Sequence, residues 1–129
     1  MARKKILLID DEPEVIETVK FLLNLKNFDV VDARDGVEGL TKAKEEKPDL
    51  ILLDIMLPNM NGYEVCANLK RDPETSNIPV LFLTARDDTD SVIRAHRAGA
   101  DDYIVKPFST TILFNKINRH LAARKRAAA

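Results

Sequence analysis

Four short apolar runs in this chain each end on a polar residue able to hold a phosphate or the metal beside it. Ile6-Leu7-Leu8-Ile9 leads into Asp10-Asp11, Leu50-Ile51-Leu52-Leu53 into Asp54, Val80-Leu81-Phe82-Leu83 into Thr84, and Tyr103-Ile104-Val105 into Lys106-Pro107. Three carboxylates gathered within a few ångströms cannot all stay ionised without a counter-charge. Hard oxygen donors of this kind suit Mg²⁺ (or Mn²⁺), which keeps several waters and uses one or two carboxylates plus phosphate oxygens. A calcium loop, with ligands at alternating positions, is absent. Lys106 supplies the opposing positive charge and Thr84 a hydroxyl donor. Asp54 is the natural nucleophile, because a carboxylate can carry a phosphoryl group once the incoming charge is neutralised. The plainer reading makes Asp10-Asp11-Glu12-Pro13 a helix N-terminus, where carboxylates cap free N–H groups. Taken with Asp54, Thr84 and Lys106 at three other run ends, that reading loses ground.

The elements that must position these residues read as five strand-then-helix units. Continuous β-branched and leucine-rich runs mark buried parallel strands, near residues 4–9, 28–33, 49–54, 79–84 and 101–105. Helical spacing follows each: Pro13 opens a first helix that buries Val15, Val19, Leu22 and Leu23 and stops near Asn27. A second runs from about Gly36 to Lys47 with Val37, Leu40 and Ala43 inward, ended by Pro48. A third, near Asn61–Arg71, buries Val65 and Leu69. A fourth, near Thr89–Ala98, stops at Gly99. The last starts near Ser109 and carries Ile112, Leu113, Ile117 and Leu121 on one side. Alternating strands and helices with short loops predict right-handed crossovers and a parallel sheet covered on both faces. The expected class is α/β, a flavodoxin-like doubly wound (βα)5 fold with a five-stranded sheet in the order 2-1-3-4-5. Ligands of such sheets sit outside the carboxyl ends of the strands.

Composition narrows the class further. A chain of 129 residues, 45% hydrophobic and 32% charged, fits one globular domain. The formal net charge of −1 gives no global field toward nucleic acid. No run has the length of a membrane span, and the four-residue apolar run after the basic start does not make a secretory signal. A single cysteine, Cys66, cannot form an internal disulfide, which points to a reducing cytoplasm.

The motifs together resemble the receiver domain of two-component response regulators, the family that includes the single-domain chemotaxis regulator. The resemblance covers residues 4 to about 121 and rests on four stretches in order. These are Ile9-Asp10-Asp11; Leu53-Asp54-Ile55-Met56-Leu57-Pro58 with Gly62 beyond; Leu83-Thr84-Ala85; and Ala98 through Phe108 around Lys106-Pro107. It implies that Asp54 is the phosphoacceptor, that Asp11 and the Met56 backbone carbonyl bind Mg²⁺ directly, and that Asp10 acts largely through water. It further implies that Thr84 and Lys106 contact the phosphoryl oxygens, that Tyr103 changes rotamer on activation, and that the bond before Pro107 is cis. A histidine kinase or histidine phosphotransfer protein would be the donor. The fourth helix, fifth strand and fifth helix would form the surface read by a downstream protein or an output domain. Residues 122–129 read as a basic, alanine-rich extension of the last helix, too short for an output domain.

Other residues are less telling. Cys66 has no basic neighbour and reads as a packed thiol, while His96 and His120 stand alone. Arg119, Arg124, Lys125 and Arg126 favour a helix C-terminus and, without interleaved aromatics, make a weak case for nucleic acid. Arg94 and Arg97 with Asp101 and Asp102 have the charges for a symmetric homodimer contact, or for simple solvation. Met56 and Arg86, at the rim, can shield the phosphorus but cannot act as general base, which predicts slow self-dephosphorylation. Two other functions compete. A dehalogenase-type phosphohydrolase would need an acid two residues after the nucleophile, where this chain has Met56. A mononucleotide or flavin binder would need a glycine- or hydroxyl-rich first turn, where this chain has Asp10-Asp11-Glu12-Pro13.

Overall fold

A computed structural model describes residues 3–128, with side chains through Arg124. The side chains of residues 125–129, which include Lys125 and Arg126 of the basic extension, lie outside those described. The strands are β1 (Lys5–Ile9), β2 (Asp29–Ala33), β3 (Leu50–Leu53), β4 (Val80–Thr84) and β5 (Asp102–Val105). The helices are α1 (Pro13–Leu25), α2 (Gly36–Glu46), α3 (Gly62–Arg71), α4 (Thr89–Arg97) and α5 (Thr110–Ala128). All strand pairs are parallel and the order is β2-β1-β3-β4-β5. This is the flavodoxin-like (βα)5 arrangement expected from the pattern.

Period-two alternation splits each central strand between two cores. Leu7, Ile9, Ile51, Leu53, Val80 and Phe82 face one side, packed with Val65, Cys66 and Leu69 of α3 and Ala95 of α4. Ile6, Leu8, Leu50, Leu52, Leu81 and Leu83 face the other, against Ile16, Val19 and Leu23 of α1 and Leu113 and Ile117 of α5. Apolar burial on both faces explains why Ile6–Ile9, Leu50–Leu53 and Val80–Leu83 carry no polar residue.

Local chemistry sets the helix ends. Asp35, Asn61 and Asp88 each accept an N–H three residues on and so cap α2, α3 and α4. Gly99, at φ +97°, turns the chain away after α4.

Two inward assignments need correction. Val37 is 59% exposed, because the inner face of α2 is built of Gly36, Gly39 and Ala43. A Cβ on Gly39 would stand 2.6 Å from Ile9 Cδ1, so bulk is excluded where the helix meets the sheet. Ile112 is 49% exposed. The buried arc of α5 centres on Leu113 and Ile117, and Ile112 lies about 100° around the helix from Leu113.

Candidate functional site

The parallel ladder continues one residue past β1, β3 and β5 and fixes Asp10, Asp54 and Lys106 by backbone bonds. Asp10 N–H donates to Ala33 O at 3.0 Å, Asp54 N–H to Ile9 O at 3.0 Å, and Lys106 N–H to Thr84 O at 2.8 Å. β1 and β3 are therefore neighbours at the point where strand order reverses, and their terminal carboxylates share one crevice.

Three of these residues repeat one local turn. Asp10 Oδ1 accepts the Glu12 N–H (3.0 Å), Asp54 Oδ1 that of Met56 (3.3 Å), and Thr84 Oγ1 that of Arg86 (3.3 Å). Each side chain bonds the backbone two residues on, which pins its orientation. The second oxygens of the aspartates stay available, and Lys106 reaches both: Nζ lies 3.0 Å from Asp10 Oδ2 and 3.4 Å from Asp54 Oδ2. The Lys106–Pro107 bond is cis.

Asp10, Asp54 and Thr84 are buried. Burial raises the pKa of Asp10, and the Glu12 N–H and Lys106 only partly offset it. Burial also works against the Lys106 ammonium, yet the carboxylates of Asp54, Asp10 and Glu12 outweigh it and raise its pKa. Lys106 is thus a cation held by an excess of negative charge.

Carboxylate oxygens of Asp10, Glu12 and Asp54 lie within 4.8 Å of one another. Sequence reasoning missed Glu12, having read it as part of a helix start. Asp11, expected in this cluster, is exposed and lines the adjoining cleft with Glu12, Met56 and Arg86. Three hard oxygen donors, one fully buried and unfavourably charged, match what a divalent cation requires.

Both rim residues are exposed. Met56 is 61% exposed. The Arg86 guanidinium turns outward to Asp88, Nε to Oδ1 at 3.1 Å, rather than over the carboxylates. Tyr103 donates its hydroxyl to the Arg86 carbonyl, and burial pushes that phenol up to about 12. Thr84 and Tyr103 therefore grip one residue, Arg86, by its N–H and its C=O.

Several secondary readings also change. His120 is not isolated: its Nε2 lies 2.8 Å from Asp102 Oδ2. Asp102 also receives Lys116 Nζ at 2.9 Å and Arg119, so it is paired within the chain. Its burial opposes ionisation, but Lys116, His120, the Tyr103 N–H and Arg119 outweigh that and drive its pKa far down. Asp101 is likewise taken by Lys70 and the Val80 N–H. Arg124 donates to Asp49 O at 2.9 Å and so serves the fold. Cys66 is packed, and burial pushes its thiol up to about 12.

A parallel doubly wound sheet with this acidic crevice and opposing lysine defines the class of phosphoryl-handling signalling receivers. The chain belongs to the response regulator receiver domain family, whose model matches residues 6–118. It is 41% identical over 119 residues to the DNA-binding response regulator MtrA of Mycolicibacterium smegmatis, across 92% of this chain and 51% of that protein. The chain therefore spans about half the length of that relative. A putative response regulator from Chloroflexus aurantiacus superposes with a TM-score of 0.90 at 32% identity, over 94% of this chain and 99% of the other. The receiver domain of sensor histidine kinase PA1611 from Pseudomonas aeruginosa superposes with a TM-score of 0.88 at 26% identity, over 94% and 99%. Its structure holds a magnesium ion in the active site cleft.

Proposed function

We propose that this domain is a phosphorylation-controlled switch in which Asp54 accepts a phosphoryl group from a histidine kinase or histidine phosphotransfer protein. One observation carries the reading: Lys106 spans Asp10 and Asp54 at the ends of two adjacent parallel strands. An Asp54 oxygen attacks the phosphorus, a new P–O bond forms and the donor's P–N bond breaks. Lys106 then faces the added negative charge, and Thr84 is placed to donate its hydroxyl to a phosphoryl oxygen. Asp10, Asp11, Asp54 and the Met56 carbonyl would hold Mg²⁺ (or Mn²⁺), with Glu12 close enough to join through water. When bound, the cation neutralises the phosphoryl oxygens.

The signal passes through the shared hold on Arg86. If the Thr84 hydroxyl turns to the phosphoryl group, it releases the Arg86 N–H, and Tyr103 can follow inward. Such a shift would alter the surface of α4, β5 and α5, where Val92, Ile93, Val105 and Ile112 are exposed apolar residues. We place the contact with a downstream protein, an output domain or a second copy there, and the domain's work in the cytoplasm. It performs its own phosphotransfer and loss of phosphate and is not a turnover enzyme. The residues now give slow self-dephosphorylation a narrower basis, resting on Met56, because Arg86 is engaged by Asp88.

Beryllofluoride with Mg²⁺ tests the reading. It should shift the amides of Thr84, Arg86, Tyr103 and α4 in the wild-type protein, and EDTA should reverse the shifts. Shifts confined to β2 and α2 would contradict it.

A further inference from the structure

We propose that the groove between α3 and α4 docks an acidic segment of a protein partner, on a different flank of α4 from the apolar surface shared with α5. The groove, about 540 Å³, is lined by Tyr63, Glu64, Asn68, Arg71, Arg94 and Arg97. Helical geometry separates the two flanks. Ser91 and Ala95 face the core, so Arg94 and Arg97 project to one side and Val92 and His96 to the other, with Ile93 at the crest between them.

Charge selects the occupant. Neighbouring cations are matched to carboxylates: Lys70 to Asp101, Arg86 to Asp88, and Lys116 and Arg119 to Asp102. Arg71, Arg94 and Arg97 make no ion pair among the described residues. Arg71 donates to the Asn68 amide oxygen at 2.8 Å, and Arg94 lies 4.3 Å over the Tyr63 ring. The single carboxylate lining the groove, Glu64, already accepts from Asn61 Nδ2 at 3.1 Å. In a chain whose net charge is −1, three unpaired guanidinium groups in one groove form a local basic site. Guanidinium forks suit carboxylates.

The floor is ordered in advance. Tyr63 donates its hydroxyl to Ser91 O at 3.3 Å and packs its ring on Phe82 at 5.7 Å between centroids, which ties α3 to the first turn of α4. Holding Arg94 on that ring reduces the entropy lost on docking. Tyr63 and Arg94 also line the cleft beside Met56 and Arg86, so a bound segment would reach the rim of the phosphorylation site. The docking surface goes beyond the switch reading and does not depend on Asp54 chemistry.

The test is an amide-shift titration of the whole chain with a short peptide alternating glutamate and leucine, at low salt. The expected result is saturable shifts at Tyr63, Asn68, Arg71, Arg94 and Arg97 that weaken as salt rises. Affinity should fall about tenfold in the Arg71→Gln/Arg94→Gln/Arg97→Gln variant. Arg97→Gln alone, at an exposed position, should weaken binding in the same direction with the spectrum otherwise unchanged. No saturable shifts, or shifts elsewhere that the triple variant leaves intact, would overturn the proposal. So would a short DNA duplex that perturbs the same amides more tightly than the peptide, because the groove would then be a nucleic-acid site.

Discussion

Lys106 and Asp10, 96 positions apart in the chain, form an ion pair at 3.0 Å with the aspartate fully buried. Removing the lysine leaves a buried carboxylate without its nearest cation. Lys106→Met should therefore lose about 3 kcal/mol of stability at neutral pH. The pKa of Asp10 is already raised in the folded state and would rise further. A raised carboxyl favours the fold while protonated and disfavours it once ionised. The deficit should thus be small near pH 4 and grow as pH climbs through the folded pKa, as read by urea unfolding across pH. A deficit independent of pH would sever the link to Asp10.

Asp102 follows the opposite sign. Its folded pKa lies far below the ordinary value of 3.8, so its ionised form stabilises the fold. Asp102→Asn should cost about 2 kcal/mol at pH 7, since Lys116 and Arg119 lose their ionic partner and His120 a hydrogen-bond partner. That cost should fade as pH falls below 3.8 toward the folded pKa. Thermal melts of both proteins at several pH values measure it.

Gly62 packs against the very backbone that carries the phosphoacceptor. A Cβ there would stand 2.2 Å from Asp54 O and 2.7 Å from Ile55 Cα, atoms that cannot swing aside. Gly62→Ala should destabilise by about 3 kcal/mol, visible as a lower urea midpoint. It should also weaken Mg²⁺ binding by displacing the β3–α3 loop. A wild-type midpoint would refute the close approach.

Thr84 and Tyr103 hold the two backbone groups of Arg86. Thr84→Ala should still be phosphorylated but should lose most of the response of α4 and Tyr103, because a ligand shifts an equilibrium only through differential contacts. Amide shifts on adding beryllofluoride read this out. A response equal to wild type would remove Thr84 from the route.

What the amino-acid order made legible is what depends on local pattern. Ile6–Ile9 and Leu50–Leu53 are buried on both faces, so each strand and its terminal aspartate stood out. Val37 misled because the α2 face against Ile9 is glycine, and a search for apolar bulk passes over small residues. Glu12 was hidden for a different reason: a helix-start acid and a cleft-facing acid look alike until the turn at Asp10 sets its carboxylate beside those of Asp10 and Asp54. The ties of His120 and Arg119 to Asp102, and of Arg94 to Tyr63, join separate elements at side-chain distance. Spacing along one helix carries no sign of them.

The central claim is tested most directly by incubating the protein with acetyl phosphate and Mg²⁺ and measuring intact mass. Wild type should gain the mass of one phosphoryl group, and the gain should vanish with EDTA and in Asp54→Asn. An Asp54→Asn protein that gains the same mass at the same rate would contradict the assignment of Asp54.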